Sequence, residues 1–274
     1  MPRLGQHFLT DKNALKKIAG FLDLSAEGGS ASGGKGGDTI VEIGPGHGEL
    51  TEQILNNELR IKNTEIKIIA IEKDEQLAES LRKKFEARGN VEIICGDALK
   101  LLPSIIHNSL FIIHGYKLAG NIPHYITGKL LRTISELPEK PKISVFTIQK
   151  EVAERLAAKP PKMNRLAASV QFWAEPEIAL IIPRDSFRPI PDVDSATIVL
   201  KKGVQKGIKT DAYYKTVRVL FSQPRKTILN NISNGMNISK DEARSKLKKA
   251  GIDENLRPQN LSVEDIIKIA VAFQ

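Results

Sequence analysis

The chain is poor in several things, and each shortage closes off a class of function. It holds one cysteine, Cys95, in 274 residues. A single thiol excludes an internal disulfide framework and fits a reducing compartment. No apolar run approaches the roughly 18 residues that cross a bilayer, so no membrane association is expected. The opening stretch, MPRLGQHFLTDKN, lacks the apolar core of a signal peptide, and a cytoplasmic protein is the expectation. His47, His107 and His114 stand at no metal-like spacing and no cysteine cluster joins them, so no metal is expected. Cys95, set in an apolar run, reads as a core thiol.

Acidic residues are scarce in one place only. The net charge is +9, yet residues 201–250 hold 13 Lys/Arg against 3 Asp/Glu, a local net of +10. The remainder of the chain therefore sums to −1. A basic excess confined to one segment suits a polyanion, most commonly nucleic acid. A solvated, lysine-rich helix surface is the other reading of the same charges.

What is present alternates. Residues 38–44, 66–71, 91–95 and 143–149 are short apolar, β-branched runs of the kind buried on both faces of a parallel sheet. Helical patterns such as 48–57 and 74–87 lie between them, which predicts a doubly wound α/β domain. Runs 177–182 and 196–201, joined by PRDSFRPIPDVDS, read as a closing pair of strands. After about residue 205 only helices are expected, over 211–221, 225–233, 239–250 and 262–273. The chain thus divides into an α/β domain over 1–204 and a small helical, basic domain over 205–274. Residues 149–158 read as an amphipathic helix, and the Gly/Ser-rich stretch 25–38 as a mobile surface loop. No obligate interface is suggested, so a monomer is the default.

The strand ends carry the chemistry. VEIGPGHGELT runs from a strand through Gly44, Gly46 and Gly48 into a helix, where glycine lets backbone turn sharply beside a ligand. No P-loop lysine follows, which disfavours a triphosphate. The next strand ends in Glu72, placed to grip a ribose diol. The third ends near Asp97 and the fourth at Asn121, in AGNIPHYIT. Glu for a ribose, Asp for an adenine amino group and no phosphate cradle point to a phosphate-free adenosine cofactor, better S-adenosyl-L-methionine than NAD.

Seven stretches then resemble one family in order: GQHFL, VEIGPGHGELT, IEKD, GDAL, GNIPHYIT, FRPIPDVDSATIVL and FSQPRKTILNNI. They are similar to the ribosomal RNA adenine dimethyltransferases, from about residue 4 to the C-terminal RPQNLSVEDI, and most of all to the small-subunit branch. The resemblance implies a Rossmann-like methyltransferase sheet with a small helical C-terminal domain. It implies cofactor contacts from His7, Leu9, Gly44, Gly46, Glu72, Asp97 and Asn121. Asn121, Ile122 and Pro123 would hold the target amino group, with His124 and Phe187 on the faces of a flipped adenine. Arg225 and Lys226 would contact RNA phosphates.

The chain departs from the family pattern in places. His7 stands where Asn is common, His124 where an aromatic ring, most often Tyr, follows the proline, and Pro224 where another Arg is frequent. Phe187 read without the family is a core residue, and His124 a surface turn residue. The function implied is S-adenosylmethionine-dependent dimethylation of N6 of two adjacent adenosines in a hairpin loop near the 3′ end of 16S ribosomal RNA. The partner would be the pre-30S particle. Two alternatives stand beside it: a large-subunit methyltransferase of the macrolide-resistance type, and a non-catalytic assembly or transcription factor on the same scaffold.

Overall fold

A computed structural model describes residues 7–24, 38–58, 66–107, 115–203 and 207–274. The loop expected over 25–38 lies outside the described residues apart from Asp38, and so does His114. The chain forms two compact units, residues 1–153 with 177–202, and residues 154–176 with 203–274.

In chain order the strands are β1 (Phe8–Leu9), β2 (Asp38–Ile43), β3 (Ile66–Glu72), β4 (Val91–Cys95), β5 (Lys117–Asn121), β6 (Ile143–Gln149), β7 (Ala174–Ile182), β8 (Phe187–Arg188) and β9 (Ser195–Lys202). Seven of them form one sheet in the order β4-β3-β2-β5-β6-β9-β7. From β4 to β6 every pairing is parallel, and β9 runs antiparallel to β6. Helices α1 (Lys12–Gly20), α2 (Glu49–Glu58), α3 (Glu75–Phe85), α4 (Ala98–His107) and α5 (Thr127–Glu136) fall before and between the parallel strands. This is the Rossmann-like architecture expected, and the apolar runs became strands because both sheet faces are covered. Ile40, Ile68, Leu118 and Val145 are all buried.

The order of the strands decides where a ligand can go. From β2 the chain steps outward through β3 to β4, then returns to lay β5 on the other side of β2. The two flanking crossovers diverge there and leave a crevice beyond the carboxyl ends of β2 and β5. A buried ion pair helps join these two strands: Lys117 Nζ lies 2.8 Å from Asp38 Oδ2 and also donates to the Asp23 carbonyl at 2.7 Å.

One expectation is corrected here. Cys95 is exposed, not a core thiol. Its strand is the sheet's edge, so among the described residues β4 has a neighbour on one side only, and each of its residues is half-buried or exposed.

The second unit is helical, with α7 (Arg165–Val170), α8 (Thr210–Leu220), α9 (Ile228–Met236), α10 (Lys240–Lys249) and α11 (Val263–Ala272); α6 (Lys150–Leu156) precedes them. Ser239 and Ser262 cap α10 and α11, the latter with Asp265 as a reciprocal capping box. Residues 154–176 belong to this unit, whereas the sequence reading kept them with 1–204. The cause is specific packing. The Phe172 and Tyr213 rings stack at 3.9 Å, and the Tyr213 and Tyr214 hydroxyls donate to the Ala168 and Ser169 carbonyls at 2.8 and 3.1 Å.

Candidate active site

One cleft of the first unit gathers the strand ends. It is lined among others by Gly44, Glu72, Asp97, Asn121, His124 and Phe187. Its empty volume, open mouth included, is about 930 Å3.

The floor is the turn after β2. Gly44 and Gly46 have φ of +65° and +63°, a region that favours glycine. A Cβ on Gly46 would lie 2.9 Å from the Phe8 ring, so a side chain there is also sterically refused. The Gly46 N–H donates to Glu72 Oε2 at 3.1 Å, and the Asp74 N–H donates to Oε1 at 2.9 Å. Glu72, only 2% exposed, is thereby fixed at the end of β3 with one edge facing the cleft. Each carboxylate oxygen keeps a lone pair for a further donor.

Asp97 follows Gly96 at the end of β4. Its Oδ1 accepts from the Leu99 N–H at 3.0 Å and its Oδ2 from Lys73 Nζ at 3.2 Å. Burial pushes this carboxyl upward, but the Lys73 and Leu99 hydrogen bonds and the nearby Lys73 and Lys100 charges outweigh it. The net effect holds Asp97 below the usual carboxylate range.

At the end of β5, Asn121 Nδ2 donates to the His7 carbonyl at 2.7 Å. That bond orients the carboxamide, whose oxygen is its acceptor. Ile122 is buried, its N–H donating to the Thr147 carbonyl at 2.9 Å. Pro123, at φ −56° and ψ 139°, leads into a short 3-10 turn over His124–Ile126. His124 is exposed and its ring centroid lies 6.2 Å from that of His7. Partial burial, then the neighbouring His7, lower its pKa from 6.5, while Asp192 and Glu151 oppose them; the imidazole is neutral at pH 7.

The far wall is brought in by a small two-stranded antiparallel sheet. β1 pairs with β8, Leu9 opposite Phe187 and Phe8 opposite Arg188. Thr10 donates to the Ser186 carbonyl from its N–H at 2.9 Å and its hydroxyl at 3.0 Å, and His7 Nδ1–H donates to the Pro189 carbonyl at 2.8 Å. Phe187 is 1% exposed yet lines the cleft, so it is both core and wall.

Of the residues expected from sequence, His7, Gly44, Gly46, Glu72, Asp97, Asn121, Ile122, Pro123, His124 and Phe187 come together in this one cleft. Leu9 does not line it; its side chain is buried in the core. Arg225 and Lys226 belong to the second unit, exposed on the turn between α8 and α9. Buried Asn231 holds that turn by donating to the Gln223 carbonyl at 3.1 Å. The sequence reading passed over Phe8, Lys73 and Pro191, and noted the Tyr125 ring beside His124 without giving it a site role; all four also line the cleft. Only their adjacency to His7, Glu72, His124 and the FRPIP stretch could have marked them.

Comparison with known proteins agrees with this arrangement. A family model described as ribosomal RNA adenine dimethylase matches residues 1–274. The chain is 35% identical to a ribosomal RNA small subunit methyltransferase A of Dehalococcoides mccartyi, covering 96% of this chain and 84% of that one. It is 34% identical to the protein of the same name from Fusobacterium nucleatum, over 99% and 97%. Among solved structures it is similar to a dimethyladenosine transferase from Plasmodium falciparum, with a TM-score of 0.76 at 24% identity over 97% of each chain. It is also similar to the 23S rRNA methyltransferase ErmE, with a TM-score of 0.70 at 21% identity over 97% of this chain and 98% of that one. At those identities the two likenesses speak to the fold.

Proposed function

The chain belongs to the ribosomal RNA adenine dimethylase family, and from that membership we propose that it dimethylates N6 of two adjacent adenosines in a hairpin loop near the 3′ end of 16S ribosomal RNA. It is a methyltransferase, and S-adenosylmethionine is its methyl donor. The reading further takes the pre-30S particle as substrate, in the cytoplasm, for a monomeric enzyme that needs neither metal nor membrane. The observation that carries it is the convergence of Gly44, Glu72, Asp97 and Asn121 from four strand ends on one cleft.

The residues present fit the donor. Glu72 offers a fixed, buried carboxylate to a ribose diol, Asp97 an ionised acceptor to an adenine amino group, and the glycine turn a floor free of side chains. When bound, S-adenosylmethionine supplies an electrophilic methyl group, so little acid–base machinery is asked of the protein.

The difficulty lies with the nucleophile, because the adenine N6 lone pair is delocalised into the ring. The Asn121 carboxamide oxygen and the Ile122 carbonyl accept hydrogen bonds from the amino group and draw that lone pair out of conjugation. Pro123 fixes the turn that aims the Ile122 carbonyl. Phe187 and the neutral His124 ring hold the faces of a base taken out of its stack. This is positioning and electrostatics, with no covalent enzyme intermediate. The second unit supplies sequence-independent phosphate contact through Arg225 and Lys226.

Small-subunit specificity is supported by the names of the relatives at about 35% identity. Offering labelled donor with unmethylated small and large subunits tests it. Dimethyladenosine in small-subunit RNA is expected, and label confined to the large subunit would overturn the assignment. A donor-induced rise in melting temperature separates either enzyme from a scaffold that has lost its pocket.

A further inference from the structure

The mouth of the cleft carries apolar surface that neither the fold nor the chemistry above uses. Tyr125 is 55% exposed, Ile190 54% and Val193 39%. Tyr125 lines the cleft directly. Ile190 stands between Pro189, which takes the His7 Nδ1–H, and cleft-lining Pro191. Val193 follows Asp192, which is near enough to act on the His124 ring. Tyr125 thus stands exposed at the cleft on the turn after β5, and Ile190 and Val193 are exposed in the loop between β8 and β9, whose Pro191 also lines the cleft. Grouped apolar surface at a site mouth marks an interaction surface.

The ring at the cleft selects among the parts of an RNA strand: every base has a face that stacks on an aromatic ring, and a phosphate has none. Charge of both signs meets at the loop between β8 and β9, Arg184 Nη1 donating to the Asp192 carbonyl at 3.3 Å. The chain's own pattern agrees: the ring expected after Pro123 is an imidazole, and the phenol ring comes one position later, on the exposed side of the same turn.

We propose that Tyr125 is a positioning residue for the RNA: its exposed ring at the cleft stacks on the nucleobase adjacent to the adenine being methylated. The inference rests on the functional reading above. Stacking the neighbour outside the cleft keeps the two bases apart, so that one enters while the other is held. With two adjacent adenosines, each serves in turn as the neighbour of the other.

The test couples a protein change to an RNA change. Methyl transfer kinetics are measured for wild type, Tyr125→Phe and Tyr125→Ala on unmethylated small subunits, and on subunits with uridine in place of one of the two adenosines. Expected are a rise in KM of about tenfold for Tyr125→Ala, a change within about twofold for Tyr125→Phe, and donor affinity unchanged in both. Wild type should lose about fivefold on the uridine subunits, because a pyrimidine offers less stacking area. Tyr125→Ala should lose almost nothing further on them. Independent, multiplying losses would overturn the inference, as would an unchanged KM or a loss of donor binding in Tyr125→Ala. If wild type transfers no methyl to adenine at all, the functional reading falls and this inference with it.

Discussion

His124 sits where its charge matters most. Its pKa lies below 6.5 chiefly through burial, then through His7, so the ring is neutral at pH 7 and gains a proton only in more acid solution. A cationic ring beside the target loses the neutral stacking face and raises the positive charge next to a cationic donor. The rate should therefore be flat above neutrality and fall only in solution more acid than an ordinary imidazole needs to gain its proton. His124→Tyr should remove that acid limb; a limb that persists would assign it to another group. The motifs around this residue were legible because Glu72, Asp97 and Asn121 sit at strand ends, where the ligand edge of such a sheet must be. The place of Lys73 beside Asp97 was not, because it depends on which way a turn faces. Sequence spacing alone does not carry that direction.

Among the elements, β2 and α2 share a buried carboxyl. Glu42 is 1% exposed, and Thr51 of α2 donates to its Oε2 at 2.6 Å. Burial, with Glu49 and Glu72 nearby, pushes it from 4.5 up to about 7, against the Thr51 hydrogen bond. A raised pKa means the folded state holds this proton more tightly than the unfolded one. Its contribution to stability is then complete below pH 4.5 and lost as the pH rises through about 7. Glu42→Gln, which keeps a partner for Thr51, should match wild type near the acid end and exceed it by up to about 3 kcal/mol at pH 8–9. Denaturant titrations of both proteins across pH read this directly, and parallel stability profiles would refute it. The strands and longer helices were legible from apolar periodicity. Short elements were harder: α7 has six residues, and contacts to Tyr213 and Tyr214, more than 40 residues away, are what hold it. The exposure of Cys95 likewise depends on sheet order, which a five-residue strand does not encode.

For the whole molecule, charge is divided as sharply as structure. Residues 201–250 carry a net of +10 and the remainder −1. If Arg225 and Lys226 each neutralise a phosphate, each alanine substitution should lower the salt dependence of small-subunit binding by about 0.7–0.9 in log–log slope. Donor affinity should not change, since neither residue lines the cleft. A slope equal to wild type would remove the turn from the RNA contact. The α/β and helical halves were readable from the change in periodicity near residue 205. The transfer of residues 154–176 to the second unit was not, because it follows from aromatic packing across the chain. The central claim is that this cleft dimethylates adenine N6 with Asn121 as the group that shapes the nucleophile. The most direct measurement is nucleoside analysis of RNA from unmethylated small subunits after incubation with S-adenosylmethionine and either wild type or Asn121→Ala. Dimethyladenosine at two adjacent positions is predicted with wild type, and a rate at saturating donor at least about 100-fold lower with Asn121→Ala. No modified adenine with wild type, or an undiminished rate with the variant, would contradict the account.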